Sequence, residues 1–426
     1  MMTQAPAASA TSSAHDNPLV LRRSQQLLAR AQQLIAGETS SMMKRADMFA
    51  PGSFPVYLTG GEGALVRDVD GQQYIDYVCG LGANTLGHNH PAIVAALHEA
   101  LPGGLSHSLP HPIELDAAEA IVELTPAAEM VRFFKTGADA TSAAVRLARH
   151  VTGRDRLVTV GYNGWHDHFM FDTPGVPPAL AQYTTRMPLM APEDEPKLIE
   201  LLRTQGQDIA LLLLSLPYNR MVSAEFLRAV QDACRNCGAL FVLDEIVTGF
   251  RLAPGGAQEH YGIEADLVCL SKGLAAGMPL SAVAGPRSIM KRMAELQVST
   301  TFGGERLSLA SCVAALSVYR DTSVLIDMRA LGERLRDGIN HASERAGTAL
   351  RVVGYPSLPC FVFAHQPLLQ AELMRAFVGL MAQRGVLLRR DVNFICAAHT
   401  PEQVDHTVEA AGHVLQQMAA DGLTGR

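Results

Sequence analysis

Residues 265–285 read ADLVCLSKGLAAGMPLSAVAG, and the rest of the chain is best read outward from them. The apolar run 267–270 is too short for a helix and ends in a glycine-rich turn, so it reads as a buried strand. Ser271-Lys272-Gly273 follows at once, which puts a lysine where a parallel strand ends. Open α/β sheets bind their ligands at that edge. The flanks carry almost no charge, and desolvation lowers a lysine's pKa and frees its amine as a nucleophile. Of the five lysines (Lys44, Lys135, Lys197, Lys272, Lys291), only this one follows a strand-like run between small residues. The competing reading is a surface lysine in a turn.

The 426 residues are enough for one large domain and a smaller one. Hydrophobic residues at 48% against 18% charged fit much buried sheet and interface. A formal charge of −7 gives no electrostatic reason to expect nucleic acid or an anionic membrane as partner. Seven scattered cysteines make no disulfide framework, which points to a reducing, cytoplasmic setting. Cys234 and Cys237 form a CxxC, but inside a helical pattern with no second pair to complete a zinc site, so no metal is expected. No apolar run can span a bilayer; the longest, 209–214, is strand-sized. Residues 1–14, rich in Ala, Ser and Thr, lack a cationic start and an apolar stretch and read as a disordered tail rather than a signal peptide. There is no internal repeat.

In chain order, residues 17–35 place leucines at helical spacing and predict an amphipathic helix. Residues 64–69 and 74–78 flank Asp70-Gly71, a hairpin signal. GHNHP at 87–91 leads into a helix with Pro91 in its first turn. From 127 onward strands and helices alternate as in a parallel α/β sheet. The strand 130–134 runs through Lys135-Thr136-Gly137-Ala138 into a helix reaching about His150. Amides at a helix start together with the helix dipole make an anion site. The plain alternative is an ordinary turn with Asp139 or Thr141 as N-cap. Strand 156–160 ends in Gly161-Tyr162-Asn163-Gly164-Trp165, where an aromatic can cover a flat ring or simply pack. Strand 239–243 ends in Asp244-Glu245, and carboxylates after a buried strand require partners; a capping or salt-bridge role is the other reading. Phosphate loop, aromatic, carboxylate and lysine all fall at strand C-termini. One cofactor, pyridoxal 5′-phosphate, has a phosphate, a flat ring, a ring nitrogen and an aldehyde to match them.

The blocks LVRDVDGQQYIDYV, LGHNHPAI, VRFFKTGADATSAAVRLAR, LDEIVTGFR with GGAQEHYGI, and LSKGLAAGMPLSAVAG resemble the class III pyridoxal-phosphate aminotransferases, most closely the glutamate-1-semialdehyde aminomutase branch. The likeness runs from about residue 24 to 400. It implies an α/β fold of type I: a large domain with a mostly parallel sheet flanked by helices, a small α+β domain, and a homodimer with active sites at the interface. The expected division is a tail at 1–16, an N-terminal segment at 17–76 joining the small domain, the large domain at 77–322 and the small domain at 323–426. Within the latter, short strands are expected at 358–364 and 386–388, and a capped helix from Thr400-Pro401.

Carried over by position, the resemblance makes Lys272 the Schiff-base lysine and sets Asp244 against the pyridine nitrogen. Ile246 would pack on one ring face and Tyr162 on the other, with Thr136, Gly137 and Ala138 at the phosphate. Thr301 would reach that phosphate from the neighbouring subunit. The implied activity is transfer of an amino group from an amino acid or amine donor to a keto or aldehyde acceptor in two half-reactions. The alternatives are intramolecular transfer of the aminomutase type, a catalytically idle cofactor-binding protein, and decarboxylation or racemisation on the same fold. Several positions depart from the aminomutase pattern: Leu81 stands for a tryptophan, Asp391 for a glutamate, and Glu305-Arg306 for Asn-Pro. These favour the aminotransferase. Arg390 and Lys44 are the candidate substrate anchors, Arg because its planar fork suits carboxylate or phosphate.

Overall fold

The computed structural model describes residues 19–363 and 366–425; the expected tail at 1–16 lies outside them. The main sheet has seven strands: β1 (Met130–Phe134), β2 (Arg156–Val160), β3 (Thr184–Met187), β4 (Ile209–Ser215), β5 (Leu240–Asp244), β6 (Leu267–Leu270) and β7 (Ser281–Gly285). Their order is β1-β7-β6-β5-β4-β2-β3. The five strands from β6 to β3 are parallel, with Val160 beside Leu214, Leu214 beside Leu243 and Leu243 beside Val268. β7 runs antiparallel to both β6 and β1, so β1 points the same way as the parallel set. The C-terminal ends of β1, β2, β4, β5 and β6 therefore share one edge, as the α/β reading requires.

Composition explains the arrangement. Every residue of β4 is buried, and Leu211, Leu212, Leu213 and Leu214 have no exposed area. A strand covered on both faces reads as continuous apolar sequence, each such leucine contributing about 2 kcal/mol on burial. β7, SAVAG, has no such signature, and neither it nor β3 was expected from the pattern. Its small residues fit a tight space: a Cβ on Gly285 would lie 2.7 Å from the Asp266 carbonyl oxygen.

The helix Gly137–Thr152 lays Ala140, Ala144, Leu147 and Ala148 on the sheet with no exposed area. Its N-cap is Thr136, correcting the alternative of Asp139 or Thr141. Thr136 Oγ1 accepts from Asp139 N (3.2 Å) and Thr136 N donates to Asp139 Oδ2 (2.9 Å), a reciprocal capping box.

Strands Leu58–Glu62, Leu65–Asp68 and Gln73–Asp76 form the expected hairpin region, and Val386–Leu387 adds to it in parallel beside Ile75 and Asp76. The N-terminal helix is Arg22–Leu34, shorter than 17–35, and Asp70 of the hairpin turn accepts from Arg23 N (2.7 Å) and Ser24 N (2.9 Å) at its start. The late strands are also trimmed, to Leu358–Val362 and Val386–Leu387. Helix Pro401–Ala420 is boxed by Thr400 and Gln403. Among the described residues no single helix is long and apolar enough to cross a membrane.

Candidate active site

Lys272 follows β6 in a short 3-10 turn, with φ +49°. A non-glycine residue in the left-handed region is strained, and such strain concentrates where function fixes the backbone. The turn is held on both sides: Ser271 Oγ donates to Leu280 O (2.8 Å) and Tyr319 Oη to Gly273 O (2.8 Å). Gly273 admits Thr85, whose Oγ1 would be 2.9 Å from an added Cβ. Burial pushes the Lys272 amine down to about 8, the charge of Asp244 opposes this, and Arg251 and Arg389 add to it. A lysine near 8 supplies a neutral amine at mildly basic pH, which an exposed one near 10.4 does not.

Asp244 ends β5 and is 4% exposed. Its Oδ2 accepts from Asn163 Nδ2 (2.9 Å) and its Oδ1 from Ile246 N (3.2 Å). Burial pushes its carboxyl above the usual range, although these bonds, Ser215 and the charge on Lys272 pull the other way. That balance leaves a buried acid with room for a further cationic or N–H partner. Asn163 escaped the sequence reading; its signal was its place beside Tyr162 in the loop after β2. Tyr162 is 69% exposed, and its hydroxyl is pushed up by partial burial and then by the charge of Asp244. Glu245 points elsewhere: it accepts from Ala257 N (2.6 Å), Gln258 N (3.2 Å) and Thr248 Oγ1 (3.0 Å), and burial pushes it up to about 7. It fastens the following turn.

At the neighbouring strand end, the first-turn amides of the Gly137–Thr152 helix have no partner within the helix. A Cβ at Gly137 would come within 2.6 Å of the Ile246 side chain, so only glycine lets the helix start approach that residue. Lys135, just before it, pairs with Glu305 (2.7 Å) and donates to Pro279 O (3.0 Å). Glu305 also caps helix Arg306–Asp321 through Leu307 N and Ser308 N, and Arg306 Nη1 donates to Gly104 O (3.1 Å). The residues replacing Asn-Pro thus serve the backbone. Thr301 and Phe302 lie exposed in the loop ahead of this helix.

The substrate candidates separate. Arg390 donates to Met48 O (2.7 Å) and Asp47 O (3.0 Å), fastening the N-terminal segment. Lys44 is exposed at a cavity of about 400 Å³ shared with Arg45, Asp76, Asn84 and His88. Arg389, which the sequence reading did not select, is 7% exposed and close enough to act on the charge of Lys272. Among the described residues its one charged partner is Asp391 (2.9 Å), whose side chain is 55% exposed. Leu81 lies in a run of four residues with positive φ: Cys79 +46°, Gly80 +60°, Leu81 +62° and Gly82 +84°.

A mostly parallel sheet thus carries a buried lysine, a buried aspartate and a helix start along one edge. The sequence profile of the class III aminotransferases matches residues 48–179 and 219–391. Among curated relatives, glutamate-1-semialdehyde 2,1-aminomutase of Methanothermobacter thermautotrophicus is 34% identical over 92% of this chain and 99% of its own. The enzyme of that name from Thermomicrobium roseum is 33% identical over 94% and 100%. Among solved structures, the FumI protein of Sphingopyxis sp. MTA144 in a form with PLP superposes at TM-score 0.88, with 29% identity over 94% of this chain and 97% of that one. A transaminase with PLP bound gives 0.86, with 28% identity over 95% and 99%. The chain belongs to the class III aminotransferases.

Proposed function

We propose that this enzyme moves an amino group from an amino acid or amine donor to a keto or aldehyde acceptor, using pyridoxal 5′-phosphate. The observation that carries the reading is the joint placement of Lys272, Asp244 and the Gly137–Thr152 helix start on one sheet edge. These residues fit the cofactor: a buried acid with capacity for an N–H, a lowered amine, and a glycine-gated helix start. When bound, the cofactor supplies an aldehyde for amines and a ring that takes up the electron pair left by a broken C–H bond.

Asp244, positioned by Asn163 and Ile246, would hold the ring nitrogen, and Ile246 and Tyr162 would flank the ring. The helix start at Thr136, Gly137 and Ala138 would hold the phosphate, with Thr301 supplied from the neighbouring subunit of a homodimer. Lys272 Nζ would hold the aldehyde end, and its lowered amine suits it to move a proton at the substrate's Cα. Arg389 anchors a substrate carboxylate by exchanging Asp391 for it, leaving Arg390 to hold the N-terminal segment.

A second reading, aminomutation within one substrate, is favoured by the name the curated relatives share. The comparisons weigh toward it, whereas the departures at Leu81, Asp391 and Glu305-Arg306 weigh toward an outside donor. Incubating the purified enzyme with single amino donors and no acceptor distinguishes the two. Stoichiometric release of a keto product supports transfer from a donor. Turnover of an amino-aldehyde acid with no donor present, and no keto product from any donor, replaces it with aminomutation.

A further inference from the structure

Behind the run of positive φ, the fold gathers three donors the reaction above does not use. The sulfurs of Cys79 and Cys396 and a ring nitrogen of His399 lie within 4.8 Å of one another. The residues are 1%, 1% and 4% exposed. Cys396 and His399 stand three residues apart, and tertiary structure brings Cys79 to them from more than 300 residues away. Cys396 Sγ is 3.1 Å from His399 Nδ1, and Cys79 Sγ lies 3.0 Å from Asp76 O and 3.5 Å from Phe394 O. The His399 ring stacks on Tyr77 at 4.4 Å, which fixes its plane; its Nδ1, on the sulfur side, also accepts from Cys396 N (3.0 Å), and its Nε2 has no partner among the described residues.

Coordination number selects the ligand. Structural zinc takes four ligands, and the described residues offer three donors in a site nearly closed to solvent. Copper(I) shares the preference for thiolate and imidazole donors. Arg251, 1% exposed beside the cluster, donates to Ile395 O, Gly82 O and Thr85 Oγ1, each at 2.9 Å, and its charge favours deprotonated thiols.

We infer that Cys79, Cys396 and His399 form a trigonal binding site for a soft monovalent metal ion, copper(I) in particular, tying the 79–82 run to the 389–399 segment. Binding forms two Cu–S bonds and one Cu–N bond, and the two thiol protons leave to solvent. No electron changes hands.

The test uses the cofactor-loaded protein, free of oxygen, titrated with copper(I) as its acetonitrile complex against a chromogenic copper(I) chelator. One equivalent per chain is expected to be withheld from the chelator. Cys396→Ser and Cys79→Ala should each weaken that retention about tenfold or more, while Cys237→Ser leaves it unchanged. Absorption-edge spectroscopy on the loaded wild type, which needs no variant to fold, should give two sulfur neighbours and one nitrogen. Failure to retain an equivalent overturns the site, as do retention that survives both variants and a neighbour set without sulfur. Zinc(II) retained in preference to copper(I) overturns the coordination argument that chose the ion.

Discussion

Position 272 combines two costs that a structural lysine would not carry: a left-handed backbone and an amine pushed down to about 8. Lys272→Ala is expected to remove covalent cofactor capture, read as loss of the borohydride-trapped mass on the peptide holding residue 272, and to lower turnover roughly 10²–10⁴-fold or more. The folded pKa lies below the unfolded one, so the native protein sheds this proton first as pH rises. Labelling of Lys272 by an amine reagent in cofactor-free protein should therefore climb with a midpoint near pH 8, about two units below that of a free lysine side chain. A midpoint at the free-lysine value would contradict the desolvated environment. Arg389→Lys keeps the charge and loses the fork; it should raise KM for carboxylate substrates about 10–100-fold with a smaller change in kcat. Arg390→Lys should leave both near wild type.

At the next scale, two connections decide how the strand ends are held. Glu245 is pushed up to about 7 by burial, above its unfolded value, so the native state binds its proton more tightly. Its contribution is greatest at low pH and falls as pH rises from about 4.5 through 7. Glu245→Gln should flatten that part of the stability–pH curve, by roughly 3 kcal/mol across the window in paired melts. Lys135→Met strands Glu305 half-buried between Ser308 and Leu307 and is expected to cost about 2 kcal/mol in denaturant unfolding. β2, β4, β5 and β6 were legible because buried strands write themselves as apolar runs, and β1, with Arg132 exposed, because it runs straight into a helix start. β7 was not, since Ser-Ala-Val-Ala-Gly suits a turn as well as a crowded strand, and only Gly285 against Asp266 reveals the constraint. The places of Lys272 and Asp244 at the sheet edge were legible because each lies at the end of such a run. Asn163 and Arg389 were not, because they approach Asp244 and Lys272 from segments converging across the fold, which spacing along the chain does not encode.

For the molecule as a whole, Trp165 at 68%, Tyr162 at 69% and Phe302 at 57% are exposed beside the cofactor edge. Large aromatics left open around a reaction site fit burial by a second copy. Emission from Trp165, the sole tryptophan, is expected to shift to the red on dilution as light scattering reports the fall from twice the chain mass. An emission maximum that ignores the change in mass would place the assembly face elsewhere. The run from Cys79 to Gly82, curling against the handedness of ordinary backbone, has its own bearing on how such enzymes diversify. Its shape is dictated from beneath, by Asp76 accepting the amides of Val78 and Cys79, and not by whatever projects at position 81. The side chain there can be exchanged, Leu81 here for the tryptophan of the aminomutase pattern, while the scaffold beneath it stays put. What stands at position 81 can change there without the fold having to follow.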